Sequence, residues 1–366
     1  MQVTLFDLFK KYNPNTFPVL PSNPENFDEH PQDINIASED ISRSELGEHS
    51  VRPRDLITNI FEKTSPISRR EHSPFIYFLD GCRRAYYLCD IATPSGKMLP
   101  ILAGQVSSAV IERSKDSGHV SLYKHDNRGL ILLPVGGGGL NKEDAEGIKE
   151  IVDRSFPQQK LTAKCITIKH SDEPRNDALA HLNMEMQSLE INFLEEMTNS
   201  GTIQLNKMIV VDGALQFQNI KKDRRACLRY AIGISKRFNL HLTNVVSKTR
   251  QIGTHLINLH KVGDRTSAFL LKETSSGTKY AFWYVRIFSL DRTAFPFAGI
   301  VKIEKVLIDD QEKENGLSAD VVDNISRCVL LERSVTPYGL DFRWASHIYP
   351  IYLTEKVQHS KFISDY

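Results

Sequence analysis

Apolar residues run through this chain in two rhythms. From Asn176 to Met197 they step by four, three, four and four, at Leu182, Met186, Leu189, Phe193 and Met197. That spacing draws one apolar stripe along a helix, and Asn199-Ser200-Gly201 ends it. Elsewhere the apolar residues come in short runs of strand character. SPFIYFLDGCRRAYYLCDI reads as a hairpin, with Asp80 at the end of its first strand and Asp-Gly-Cys-Arg-Arg at the turn. Residues 98–112 make a third strand, and residues 131–139 a strand entering the glycine run. Asn141 is placed to cap a helix reaching about residue 155, and residues 162–169 alternate as a strand. KMIVVDG is unbroken and apolar, as suits a central strand covered on both faces, and it ends at Asp212. A basic helix is predicted over about 219–237. Strands near 266–272, 280–288 and 297–305 and helices near 318–333 and 351–364 complete the pattern.

Residues 1–70 follow a different pattern. A short amphipathic helix carries Leu5, Leu8 and Phe9, a Pro/Asn/Glu-rich stretch covers 13–50, and a second helix is predicted near 53–63. The middle stretch holds too few apolar residues to offset the entropy of ordering it. The chain thus divides into an extension, 1–70, suited to oligomerisation or partner docking, and an α/β domain over 71–366.

Composition changes the picture only a little. The 366 residues carry a net charge of +1, so nucleic-acid binding would need local basic patches rather than a global field. Five cysteines form no CxxC pair and no zinc-like spacing, which points to free thiols in a reducing cytoplasm. No run of 18 apolar residues occurs, and MQVTLFDLFKKYN lacks a long apolar segment, so neither membrane spanning nor secretion is expected. Gly136–Gly139 is not followed by Gly-Lys-Ser/Thr, which argues against a nucleotide-binding loop.

Candidate chemistry lies in a repeated ending. IYFLDG and IVVDG both close an apolar strand with Asp-Gly. Either alone is also an ordinary turn signal. Together, two carboxylates on neighbouring strands can share hard divalent cations. The helix between them offers Glu185, Glu190, Glu195 and Glu196. At helical pitch, Glu190 and Glu196 flank the apolar stripe and Glu195 points to solvent, so either flanking residue can serve as the third ligand. Lys221, Lys222, Arg224, Arg225, Arg229, Lys236 and Arg237 follow the second Asp-Gly, where a phosphate backbone would pass. Lys236 comes directly after the apolar run Ala-Ile-Gly-Ile-Ser, which would hold its ammonium near the site. A late helix carries His359 on one face with Tyr352, Lys356 and Ile363.

The order of these elements resembles the NurA nucleases: Asp-Gly, a glutamate helix, a second Asp-Gly followed by Ala-Leu, Ile-Gly-Ile-Ser-Lys, and a late histidine helix. Phe297-Ala-Gly-Ile-Val-Lys302 and YPIYLTEKVQHSKFIS are similar to later segments of that family. The first motif departs from it, with Cys82 where the family has serine. The resemblance covers about residues 74–365. It implies an RNase H/PIWI-like mixed sheet flanked by helices, a homodimer, and dependence on Mn2+ or Mg2+. It also implies Asp80, Glu190 and Asp212 as metal ligands, with Lys236 and His359 completing the site, His359 as a ligand or a proton-transfer group. The implied activity is metal-dependent hydrolysis of DNA alongside a HerA-like hexameric ATPase, in DNA end processing or defence against foreign DNA. A non-catalytic nucleic-acid-binding or scaffolding role on the same fold is the alternative, and a guide-dependent PIWI-like role a more distant one.

Overall fold

The computed structural model describes residues 5–12, 14, 16–18, 48–49 and 57–59. From residue 73 onward it describes all but 93–95, 97, 137–138, 156–160, 168–173, 218–219, 221, 242–250, 273–277, 294, 335–346 and 363–366. Its strands are β1 (Thr16–Pro18), β2 (Glu48–His49), β3 (Ile57–Asn59), β4 (Phe75–Ala92), β5 (Met98–Arg113), β6 (Val120–Val135) and β7 (Leu161–Thr167). They continue with β8 (Met208–Asp212), β9 (Ala231–Ser235), β10 (Asp264–Thr266), β11 (Phe269–Lys272), β12 (Lys279–Arg286), β13 (Ile300–Val306) and β14 (Leu317–Ser318). The principal helices are α1 (Leu5–Tyr12), α2 (Lys142–Ser155), α3 (Pro174–Asn199), α4 (Ala319–Glu332) and α5 (Tyr349–His359).

One mixed sheet of 12 strands organises these elements, in the order β3-β10-β12-β13-β9-β8-β4-β5-β6-β7, with β1 beside β4 and β11 beside β12. Strands β4, β5 and β6 form a long antiparallel meander. Strands β8 and β9 join it in parallel, β8 on β4 and β9 on β8. Side chains alternate between the faces of such a sheet. Leu79, Ile209 and Val211 therefore pack under α3 with Ile191, Leu194 and Met197. Phe78, Val210 and Ile232 pack on the other face with Val322 and Val329 of α4 and Ile351 of α5. Buried polar pairs fix α4 in register: Trp283 Nε1 donates to Ser326 Oγ (2.9 Å), Arg265 to Asp323 (2.6 Å), and Arg113 to both oxygens of Glu332 (2.5 and 2.6 Å). No helix among the described residues is long and apolar enough to cross a membrane.

The α/β pattern, α3, β8 and the Asn141 cap follow the sequence reading. Asn141 Oδ1 accepts from Asp144 N at 2.7 Å. Three expectations are corrected. Asp-Gly-Cys-Arg-Arg is not a hairpin turn: β4 runs straight through it, because β5 pairs with it continuously from Tyr77 to Tyr87. No basic helix spans 219–237: a 3-10 helix covers Lys222–Leu228, and Ala231–Ser235 is strand β9. The apolar Ala-Ile-Gly-Ile run is claimed by β8 on one side and β13 on the other, and such double pairing overrides a weak helical rhythm. Within the predicted helix at 53–63, Ile57–Asn59 is a strand paired with β10. The described pieces of residues 1–70 join the sheets of the domain, through β1 on β4, β3 on β10 and β2 on β14. The expected short amphipathic helix is α1, Leu5–Tyr12, with Phe9 buried, and the other expectations for that segment lie outside the described residues. The last helix ends at His359, short of the predicted 364.

Gly233 permits the tight approach of β9 to the loop after β8. A Cβ there would stand 2.8 Å from Gly213 O and 2.9 Å from Leu215 Cγ. Gly233→Ala is therefore expected to destabilise the protein by about 1–3 kcal/mol, the usual cost of overpacking. Urea denaturation measures this, and an unchanged midpoint would contradict the packing described.

Candidate active site

The parallel partner of β4 stops short, and the site forms where it stops. Leu79 pairs with Val211, and Asp212 is the last residue of β8, still paired with Ile234 of β9. Gly213 then turns the chain at φ 105°, a conformation open to glycine and costly for other residues. Asp80 lies one step beyond Leu79 on the continuing strand, so the two carboxylates meet at this edge. The second Asp-Gly is thus a turn, and the first is not.

Gly81 serves a different purpose. A Cβ on it would stand 2.6 Å from Glu190 Oε1 and 2.9 Å from Met186 Cγ. The absent side chain leaves room for Glu190 of α3 to lie against the strand, 4% exposed. Asp80 and Asp212 project from the α5 face by alternation, and Glu190 approaches from the α3 face. Of the two glutamates left open by helical pitch, Glu190 joins the site. Glu196 is excluded from it: its side chain is 66% exposed and pairs with Lys124. Glu195 does not point to open solvent as expected, because Arg224 draws it into an ion pair.

Among the described residues, one cation answers these carboxylates. Lys236 follows β9 directly and donates from Nζ to Asp212 Oδ2 at 2.8 Å. Burial works against its charge, but Asp212 and Asp80 together outweigh this and raise its pKa. Burial first, then the Asp212 charge, pushes the Glu190 carboxyl up to about 8. Burial and Asp212 likewise lift Asp80 well above the usual carboxylate range. Were all three carboxyls ionised, their charge would exceed what Lys236 can balance, and Asp80 and Glu190 accordingly hold their protons more tightly than free carboxyls do.

Helix α5 supplies residues that sequence reasoning passed over. Gln358 is fully buried and donates from Nε2 to Asp80 Oδ2 at 3.2 Å. Its Oε1 is buried without a hydrogen-bond partner among the described residues. The available signal was a pair of polar residues, Thr354 and Gln358, in line with Ile351 on the buried side of the helix. His359 stands beside this pair, with Nε2 at 3.6 Å from Cys82 Sγ and Nδ1 at 3.2 Å from Arg84 Nη2. Glu304 was also missed. It is fully buried, accepts from Leu215 N at 2.9 Å, and pairs with Lys302 at 2.8 Å, so it pins the loop that follows Asp212.

The basic stretch divides. Arg225 is buried and donates to the Tyr280 hydroxyl, so it does not face a backbone phosphate. Arg224 and Arg229 pair with Glu195 and Asp309. Arg237 is exposed. Lys221 lies outside the described residues, and Lys222 sits in the 3-10 helix. All five cysteines lie outside any disulfide.

Oxygen donors whose joint ionisation would leave surplus negative charge suit a hard divalent ion. The unpartnered Gln358 Oε1 beside Asp80 is consistent with such a group. Among the described residues, no group of three or more His, Cys, Asp or Glu side chains is placed so that it could hold a metal ion. No protein-family model and no curated protein matches the chain.

The raised Glu190 pKa has a stability consequence. A carboxyl raised in the fold contributes stability that is complete below its unfolded pKa, near 4.5, and lost as pH rises through about 8. Asp80 acts in the same direction. Without divalent ions, the protein should therefore lose stability between about pH 4.5 and 8, by on the order of 1 kcal/mol for each pH unit crossed. Glu190→Gln should show a shallower fall over that window. Parallel denaturation curves for the two proteins across it would refute this account of the burial.

Proposed function

We propose that the chain is a divalent-metal-dependent deoxyribonuclease of the NurA type. The observation that carries this reading is the convergence of Asp80, Asp212 and Glu190, with Lys236 as the one cation bonded among them in the described residues. Structural carboxylates are seldom buried together with so little compensation, because unpaired buried charge is costly. Such burial is common at functional sites. The strand order β6-β5-β4-β8-β9, three antiparallel strands followed by two parallel ones, supports an RNase H/PIWI-like core.

Asp80, Asp212 and Glu190 would hold Mn2+ or Mg2+, which when bound activates water and stabilises the leaving oxygen in phosphodiester hydrolysis. Lys236 holds Asp212 in place through its hydrogen bond, Gln358 orients Asp80, and Glu304 steadies the loop behind Asp212. The DNA path is proposed to pass the α5 edge of β4 and the exposed Arg237. A homodimer working in the cytoplasm with a HerA-like hexameric ATPase completes the reading. A motor is needed because the chain carries no nucleotide-binding loop of its own.

The test is cleavage of DNA oligonucleotides with Mn2+ or Mg2+. Asp80→Asn and Asp212→Asn should each lose at least about a hundredfold in rate, as removal of a transition-state stabilising group does. Glu190→Gln should fall with them, and Glu196→Gln should cleave at the wild-type rate. Folded Asp80→Asn or Asp212→Asn protein with full activity would dismiss the site, as would wild-type cleavage that survives chelation of all divalent ions.

A further inference from the structure

The role of His359 can be read from the group that holds it. Arg84 lies on β4 at the second same-face position beyond Asp80, with Cys82 between them. Its guanidinium stacks over Phe362 at 4.7 Å and reaches His359 Nδ1 at 3.2 Å. A guanidinium has donors and no acceptor, and it stays charged at any ordinary pH. Nδ1 therefore accepts and carries no proton. The proton of the neutral ring sits on Nε2, which faces Cys82 Sγ at 3.6 Å and Glu355 Oε1 at 3.8 Å. Along β4, Cys82 is on the Asp80 side of Arg84, so the N–H is presented toward the carboxylates.

We infer that Arg84 is a positioning residue that holds His359 as a neutral Nε2–H donor, aimed at a phosphoryl oxygen of the substrate. This rests on the nuclease reading for the identity of the substrate, but not for the state of the ring. Metal ligation needs a nitrogen lone pair, and here the Nδ1 lone pair is committed to Arg84 while Nε2 is protonated. General acid catalysis would require a second ring proton, and the Arg84 charge opposes its arrival at Nδ1. A neutral imidazole N–H that polarises an oxygen remains, a role known for histidines held in the neutral form.

Two measurements on the full chain test this. The first is side-chain 15N NMR of histidine-labelled protein, with the His359 signals assigned by their loss in His359→Gln. Wild type should show a lone-pair signature at Nδ1 and an N–H signature at Nε2. Arg84→Lys should preserve it, since an ammonium also only donates, and Arg84→Met should give a mixture of tautomers. A proton on Nδ1 in the wild type overturns the inference. The second is Mn2+-dependent cleavage. His359→Gln retains an N–H donor and should stay within about tenfold of wild type, whereas His359→Ala should lose about a hundredfold or more. Equal losses in the two variants overturn the donor role. If the wild type cleaves no DNA with any divalent ion, the nuclease reading fails, and the NMR result still decides the state of the ring.

Discussion

Asp80, buried, and Asp212, half-buried, meet at one sheet edge, with the Lys236 ammonium bonded to Asp212. Like charges at close range disfavour joint ionisation, and burial sharpens the effect. The arrangement persists because the sheet imposes it. Asp80 is fixed by continuous pairing of β4 with β5, and Asp212 by parallel pairing of β8 with both β4 and β9. Neither carboxylate can retreat without breaking backbone pairing that the core depends on. Lys236 offsets part of the repulsion, and the divalent cation proposed above would offset the rest.

The rest of the fold is arranged around that edge. Helix α3 brings Glu190 against Gly81 from one side, and α5 brings Gln358 and His359 from the other. The buried pairs on α4, namely Arg113 with Glu332 and Arg265 with Asp323, hold that helix on the sheet face that α5 also covers. The Lys302–Glu304 pair acts from a more distant strand and reaches the loop after Asp212 through a single backbone N–H. The proposed nuclease chemistry thus draws on strands β4, β8, β9 and β13 and two helices on opposite faces. No local segment contains it.

Much was legible in the sequence where the signal was local. The four-three-four-four stripe specified α3, the unbroken apolar run specified β8, and Asn141 specified the start of α2. The repeated Asp-Gly singled out Asp80 and Asp212, although only the second ends a strand, and the apolar lead into Lys236 placed it beside Asp212. These readings succeed because helix pitch, strand alternation and capping depend on neighbours within a few residues.

Other features were settled only by the tertiary structure. Asp80-Gly81 and Asp212-Gly213 look alike in sequence, yet one lies inside a strand and the other turns, because β5 pairs past the first while β8 has run out at the second. Helical pitch left Glu190 and Glu196 equivalent, and the space over Gly81 separated them. Ile232-Gly233-Ile234 became a strand because β8 and β13 claim both of its edges. Gln358, Arg84 and Glu304 carry no motif, and each matters through a partner far away in the chain: Asp80, His359 and Leu215. Periodicity within the chain determined which elements exist. Pairing and packing between distant elements decided which side chains meet, since those contacts depend on register and on empty space that no local pattern encodes.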